Sequence, residues 1–151
     1  MDPAQALLDA LEGAWRGPGS VTMPNAPPTA FDEVITFTRR SETSLDYSQR
    51  AVSTAGGEML HAEVGIWRLG APGHLEITVA LPGSTEIAEG AVVDGSIQTE
   101  STSIGRAATS HKFRQARRHY RLDGDTLVYD TELASVAFPL FSHVTAVLRR
   151  G

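Results

Sequence analysis

The chain has 151 residues, 41% of them hydrophobic and 21% charged, so we expect a single globular domain over residues 1–151 with a sizeable core. The formal net charge of −5 disfavours nucleic acid and anionic lipid as partners. Cysteine is absent, which excludes disulfides and thiolate-held metals, so any metal ligand must be His, Asp or Glu.

The N-terminal segment predicts one short helix. Asp2 supplies an N-cap, Pro3 suits the first helical position, and Gly13 marks the end. The apolar residues between them recur at helical spacing, which predicts an amphipathic helix that acts as a lid or a plug. These residues are Ala4, Leu7, Leu8 and Leu11.

Targeting and membrane signals are weak in this sequence. The N-terminal segment is acidic where a signal peptide is basic, and no apolar run approaches the ~20 residues of a membrane-spanning helix. We therefore expect a cytoplasmic protein that does not associate with membranes.

From Ala14 onward, short β-rich runs alternate with turns of Gly, Pro, Asp and Ser. Because most of these turns are short, consecutive strands should be antiparallel neighbours. We predict an all-β fold, an up-and-down antiparallel β-barrel of about ten strands with a short N-terminal helix, while a two-sheet sandwich stays open. The candidate strands are residues 14–23, 31–40, 44–52, 58–68, 74–81, 85–93, 96–103, 111–122, 126–135 and 141–149.

Three connections have a recognisable character. Asp94-Gly95 and Asp123-Gly124 are dipeptides that accept positive φ at both central positions, which predicts type I′ hairpins. The proline-rich segment 24–28 is expected to form a loop across one end of the barrel.

Charged side chains in the predicted strands are expected to face solvent. Glu86 and Glu89 show no convergence with other carboxylates. Seven basic residues crowd one strand, and alternating positive charge of this kind usually marks a solvated outer face. A nucleic-acid patch is disfavoured, because aromatic residues are sparse there and the chain is acidic overall. The basic residues are His111, Lys112, Arg114, Arg117, Arg118, His119 and Arg121.

His143, near the start of the last predicted strand, is a candidate metal ligand. It lies among apolar residues, where a neutral imidazole is favoured, although a histidine bonded to the backbone at a strand end is the alternative. The more apolar row of this strand has the opposite parity, so we expect a local break in the strand near Ser142.

Six stretches of the sequence match one known family in order. The first carries Gly13, Trp15, Gly17 and Gly19 in the pattern GxWxGxG, where the indole is expected to cover a barrel end. The others are FDEVITFT at 31–38, LHAE at 60–63, and residues 86–90, 112–127 and 139–149. Together they make the chain resemble the nitrobindin family, haem-binding β-barrels similar in shape to lipocalins and fatty-acid-binding proteins.

The resemblance implies one ferric haem b per chain, with nitric oxide and peroxynitrite as small-molecule ligands and conversion of peroxynitrite to nitrate as the activity. It implies that His143 is the axial iron ligand and that His61 lies on the pocket side. Lys112 matches a lysine associated with haem binding, and Asn25 stands where relatives commonly have a threonine against the haem. A monomer and a homodimer are both compatible with the sequence.

A second function stays open beside this one. The same barrel without haem would serve as a non-catalytic carrier of a fatty acid or another small apolar ligand, with the basic cluster meeting a carboxylate. A domain that binds no ligand is the third possibility.

Overall fold

The computed structural model describes all residues 1–151. One helix, α1 (Pro3–Leu11), precedes ten strands. The strands are β1 (Gly13–Val21), β2 (Thr29–Ser41), β3 (Ser44–Ser53), β4 (Met59–Leu69), β5 (His74–Leu81), β6 (Ser84–Val93), β7 (Ser96–Arg106), β8 (Phe113–Asp123), β9 (Thr126–Ser135) and β10 (Phe141–Arg150).

The strands form a closed antiparallel barrel in up-and-down order. Each strand pairs with its neighbours in sequence, and β1 closes the barrel by pairing with both β2 and β10. Closure leaves no free sheet edge along the ring. The predicted ten-stranded barrel is confirmed, and the sandwich alternative is wrong.

The two Asp-Gly turns differ from each other. Asp94 and Gly95 both have positive φ, 50° and 73°, as a type I′ turn requires. At the second turn the strand ends pair Asp123 with Thr126, so the central residues are Gly124 and Asp125. Only Gly124 has positive φ there, at 58°, as in a type II′ turn. The type I′ prediction for this turn is wrong because Asp123 belongs to the strand.

Helix α1 closes one end of the barrel as a plug. The Asp2 side chain caps it by accepting hydrogen bonds from the backbone N–H groups of Ala4 and Gln5. At its other end, Arg150 donates to the carbonyl oxygens of Ala10 and Glu12 at 2.7 and 2.8 Å. These contacts satisfy carbonyls that a helix end leaves free and tie the helix to the last strand.

Above the plug, the barrel interior is filled by packed rings. Tyr47 and Trp67 are both buried. Trp67 lies 5.1 Å from Phe37 and 4.8 Å from Tyr120 between ring centroids, both in edge-on geometry. Tyr120 stacks on Tyr129 at 5.3 Å. Aromatic packing of this kind fixes the interior at the α1 end, so any cavity must lie at the other end.

The glycine motif of β1 allows close packing of β1 on its neighbours. Trp15 is fully buried, and its indole N–H donates to the carbonyl of Leu11 at 2.9 Å. A Cβ at Gly17 would clash with the backbone of Val147 in β10, and a Cβ at Gly19 would lie 2.5 Å from the Phe31 ring. Trp15, Gly17 and Gly19 therefore have a packing role.

The helical structure of the chain amounts to nine residues, too short a helix to span a membrane. The cytoplasmic location and the number of chains in the assembly stay predictions.

We expect Gly17→Ala to destabilise the barrel by about 1–3 kcal/mol, the usual cost of overpacking. The added methyl group has only the β10 backbone to displace. Urea unfolding followed by tryptophan fluorescence measures the change. The exposed Arg16→Ala in the same strand should stay within about 0.5 kcal/mol of the parent. Equal stability of the two variants would contradict the packing role.

Candidate functional site

A cavity of about 530 Å³ occupies the barrel end opposite α1. It lies at the open end, where β1 finishes and β2 begins. Of the 26 residues that line it, 15 are hydrophobic, and the volume falls within the usual ~300–1,000 Å³ of small-ligand sites. Its apolar lining includes Val21, Phe31, Leu60, Leu81, Leu133, Phe138, Phe141 and Val144.

A β-bulge brings His143 into this cavity. The register between β10 and β9 shifts between Ser142 and Val144, which confirms the predicted break. The inserted residue lets His143 line the cavity while Ala146 and Leu148 face the core.

Thr22 fixes the orientation of the His143 ring. The backbone N–H of Thr22 donates to the His143 carbonyl at 2.7 Å, and His143 Nδ1 donates to the Thr22 carbonyl at 3.0 Å. Because a carbonyl can only accept, Nδ1 carries the proton and Nε2 keeps its lone pair. Nε2 makes no hydrogen bond within the protein. An imidazole oriented by a backbone carbonyl in this way is the usual arrangement of a metal-ligating histidine.

Burial lowers the pKa of His143 from its ordinary value, while the bond to Thr22 raises it and the neighbouring His61 and Arg118 lower it further. The result is a neutral ring at neutral pH, which is the form that coordinates a metal. The ring of Phe141 contacts the imidazole edge-on with centroids 5.8 Å apart.

Two of the other three predicted site residues line the same cavity. His61 in β4 is half-buried, and its Nε2 lies 3.1 Å from Glu63 Oε1. Glu63 thereby engages Nε2, and Nδ1 is the ring nitrogen without a hydrogen bond in the protein. Lys112 is exposed at the cavity mouth just before β8, without an ion pair. Asn25 lies in the exposed β1–β2 loop with φ of 64° and does not line the cavity.

The cavity ends on a buried group of charged side chains, the floor cluster, made of Glu63, Arg118 and Glu86. Arg118 donates to both oxygens of Glu63 at 3.2 Å, and to Glu86 Oε1 through Nε at 3.2 Å and Nη2 at 2.8 Å. All three residues are at most 7% exposed. The expectation that Glu86 and Arg118 face solvent is wrong, because both point into the barrel, where Arg118 donates to Glu86 Oε1.

A second polar group, the Glu33 network, lies beside the floor cluster. Tyr129 Oη lies 2.6 and 2.7 Å from the two oxygens of Glu33, and Gln49 donates to both Glu33 and Tyr129. Tyr47 in turn donates to Gln49 at 2.6 Å. Burial raises the pKa of Glu33 despite these hydrogen bonds. The network separates the cavity from the aromatic core.

Strand parity was the signal that would have found these charged residues. In β2, Glu33 is two residues from Phe31 and from Ile35. In β8, Arg118 is two residues from Ala116 and from Tyr120. In both strands the charged residue shares its face with buried apolar neighbours. A charge at an inward position of a barrel strand predicts a buried partner.

The fold and this site define a class, the β-barrels that hold a small ligand in an internal cavity, with one histidine free to coordinate a metal. Within that class the chain belongs to the THAP4-like haem-binding β-barrel domain family, whose model matches residues 5–150. Haem binding is therefore a property of the family to which this chain belongs.

Similar proteins cover nearly the whole chain. Peroxynitrite isomerase 2 of Mycobacterium avium is 39% identical over 155 residues, covering 99% of this chain and 96% of the relative. Peroxynitrite isomerase of Nocardia farcinica is 37% identical, covering 99% and 92%.

Solved structures show the same architecture. The crystal structure of Rv2717c from M. tuberculosis superposes with a TM-score of 0.88 at 36% identity, covering 99% of this chain and 98% of the other. The S-type phycobiliprotein lyase CPES from Guillardia theta has a TM-score of 0.71 at 11% identity, which shows a shared fold alone.

The floor cluster predicts a specific loss of stability in acid. Burial raises the pKa of Glu63, but the charge of Arg118 and the bonds from His61 and Arg118 lower it from 4.5 to about 2. A carboxyl whose folded pKa is depressed stabilises the fold above its unfolded pKa, and this stability is lost as the pH falls through the folded pKa.

We therefore expect the wild type to lose stability between pH 4.5 and 2 more steeply than Glu63→Gln, by on the order of 2 kcal/mol. Urea unfolding at several pH values measures the slopes. Glu89→Gln, an exposed carboxyl on β6, should keep the wild-type slope. The raised pKa of Glu33 acts with the opposite sign but is common to all three proteins. Parallel slopes for Glu63→Gln and the wild type would be the contrary result.

Proposed function

We propose that the chain binds one ferric haem b in the cavity, takes nitric oxide and peroxynitrite as ligands, and isomerises peroxynitrite to nitrate. Family membership supports haem binding, and two relatives that are 37 and 39% identical are named peroxynitrite isomerases. The observation that carries the proposal is His143, whose Nδ1 is held by a backbone carbonyl and whose Nε2 has no partner in the protein.

The residues present fit a haem. A flat apolar macrocycle needs apolar walls, which the cavity supplies, and its iron needs a neutral imidazole, which burial of His143 supplies. The orienting bond from His143 to Thr22 spans β10 and the β1–β2 connection, so the ligand is held by the barrel wall rather than by a loose side chain. Haem, when bound there, would supply a Lewis-acidic iron for peroxynitrite.

Each remaining side chain has a proposed task. His143 holds the iron, and Phe138 and Phe141 exclude water from that side of the cavity. Lys112, an exposed cation at the mouth, is placed to meet a haem propionate. His61 presents a hydrogen-bonding nitrogen to a small ligand while Glu63 fixes its ring. Asn25 does not line the cavity, so it would contact the porphyrin edge only from its position in the β1–β2 loop.

The carrier alternative meets an obstacle in the floor cluster. A fatty-acid carboxylate inside a barrel needs a free cation, and Arg118 is the buried arginine of this cavity. Its guanidinium already makes four hydrogen bonds to the carboxylates of Glu63 and Glu86. A third carboxylate would face two negative charges there, so the geometry favours haem over a fatty acid.

Hemin titration tests the binding proposal. We expect a Soret band that sharpens and saturates at one equivalent, and a His143→Ala variant that loses the five-coordinate histidine spectrum and binds hemin at least about tenfold more weakly, since second-shell disruption alone costs 10–100-fold at metal sites.

His74→Ala is the matched control. His74 also bonds a backbone carbonyl through Nδ1, that of Pro72 at 3.0 Å, but it is exposed and lies outside the cavity. We expect this variant to bind hemin as the wild type does. Unchanged spectra in His143→Ala, or no Soret band in the wild type, would contradict the proposal.

Stopped-flow decay of peroxynitrite tests catalysis. The haem-loaded wild type should accelerate decay in proportion to its concentration and raise the yield of nitrate. His143→Ala with hemin added should lose the acceleration, because the iron is no longer held in the barrel. Decay at the rate of free hemin in both proteins would leave a haem-binding protein without isomerase activity.

A further inference from the structure

Two residues that line the cavity each carry a buried polar atom without a partner in the protein. Glu86 is 2% exposed, and its Oε2 accepts no hydrogen bond, while Oε1 is bonded to Arg118. Thr131 Oγ1, on β9, is likewise buried and unbonded. Both residues line the cavity. A buried polar group without a partner costs about 1–3 kcal/mol. The carboxylate charge of Glu86 is therefore offset by Arg118 through Oε1 alone.

The floor cluster also carries unbalanced charge. Arg118 forms salt bridges to Glu63 at 3.2 Å and to Glu86 at 2.8 Å, so one cation stands against two anions. The other basic groups that line the cavity are His61, half-exposed beside Glu63, His143, and the exposed mouth residues His111 and Lys112. None of the last three contacts the cluster, and Glu33 adds a further buried carboxyl nearby.

Burial makes this excess charge effective. In bulk water, solvent would weaken the interaction between this charge and a charged guest. An effective dielectric constant of ~20 inside the barrel makes the same interaction about fourfold stronger than in water. An anionic guest is therefore destabilised in the cavity, and a guest with a positively charged centre is stabilised.

We propose that the floor cluster makes the cavity select its guests by charge, and that Glu86 is the specificity-determining residue. The application to haem rests on the proposed function. The ferric centre of haem carries one more positive charge than the ferrous centre. Glu86 then favours the ferric state of the bound cofactor. For any other guest, the cluster disfavours a negative group at the inner end of the cavity.

The apo protein tests charge selection without haem. Anilinonaphthalene sulfonate is an anionic fluorescent probe of apolar surface, and N-phenylnaphthylamine is its uncharged counterpart. We expect Glu86→Gln to tighten binding of the anionic probe about three- to tenfold and to leave the uncharged probe unchanged. Glu89→Gln removes the same charge from the outside of the same strand and should change neither probe.

The haem-loaded protein tests the consequence for oxidation state. Dithionite titration supplies one electron per haem, and the absorption spectrum reports the ratio of ferric to ferrous forms. We expect Glu86→Gln to shift this equilibrium toward ferrous haem by up to about tenfold, equivalent to about 59 mV for a one-electron couple, with Glu89→Gln unchanged. An unchanged ferric spectrum in Glu86→Gln would show that His143 still holds the iron.

The outcomes separate the two proposals. Failure of the wild type to bind hemin would contradict the proposed function. The two naphthalene probes would still test whether the cavity selects guests by charge. Equal probe affinities in the wild type and a folded Glu86→Gln overturn the inference, whether or not haem binds. Should Glu86→Gln fail to fold, Glu63→Gln removes the other negative charge of the floor cluster and must give the same shifts.

Discussion

The salt bridges of Arg118 are the interaction on which the interior of this barrel depends. The Arg118 guanidinium on β8 binds Glu63 on β4 and Glu86 on β6, so these salt bridges link three strands of the barrel. Removing one partner of such a buried pair typically costs about 3–5 kcal/mol, because the other charge is left uncompensated. The floor cluster lies between the packed aromatic half of the interior, toward α1, and the open half, toward the cavity mouth.

The open half is organised by a different device, the bulge in β10. Without the extra residue between Ser142 and Val144, strict alternation would place His143 on the outer face together with exposed Val147. The bulge turns one residue inward and leaves Ala146 and Leu148 in the core. The carbonyl of Thr22 then fixes the ring. Because of this one inserted residue, β10 can place His143 in the cavity and still pack Ala146 and Leu148 in the core.

The sequence predicted the local elements well, because each depends on local chemistry. Asp2 and Pro3 define the start of α1, and the opposing apolar row of β10 predicted the break at Ser142. The floor cluster was missed because Glu63, Glu86 and Arg118 are distant in sequence, and only barrel closure brings them together. The type of the β8–β9 turn depended on register, since one residue decides whether Asp123 is in the strand.

The floor cluster is a costly way to fill a barrel. Hydrophobic side chains of similar volume are often as stabilising as a buried ion pair, or more so, since they need no desolvation of charge. The cluster also leaves Glu86 Oε2 without a partner, which a cluster serving stability alone would avoid. Glu86 lines the cavity, below apolar walls that by themselves would accept any flat hydrophobic guest. Shape and apolarity therefore set the size of the guest, and the floor cluster adds a preference for its charge.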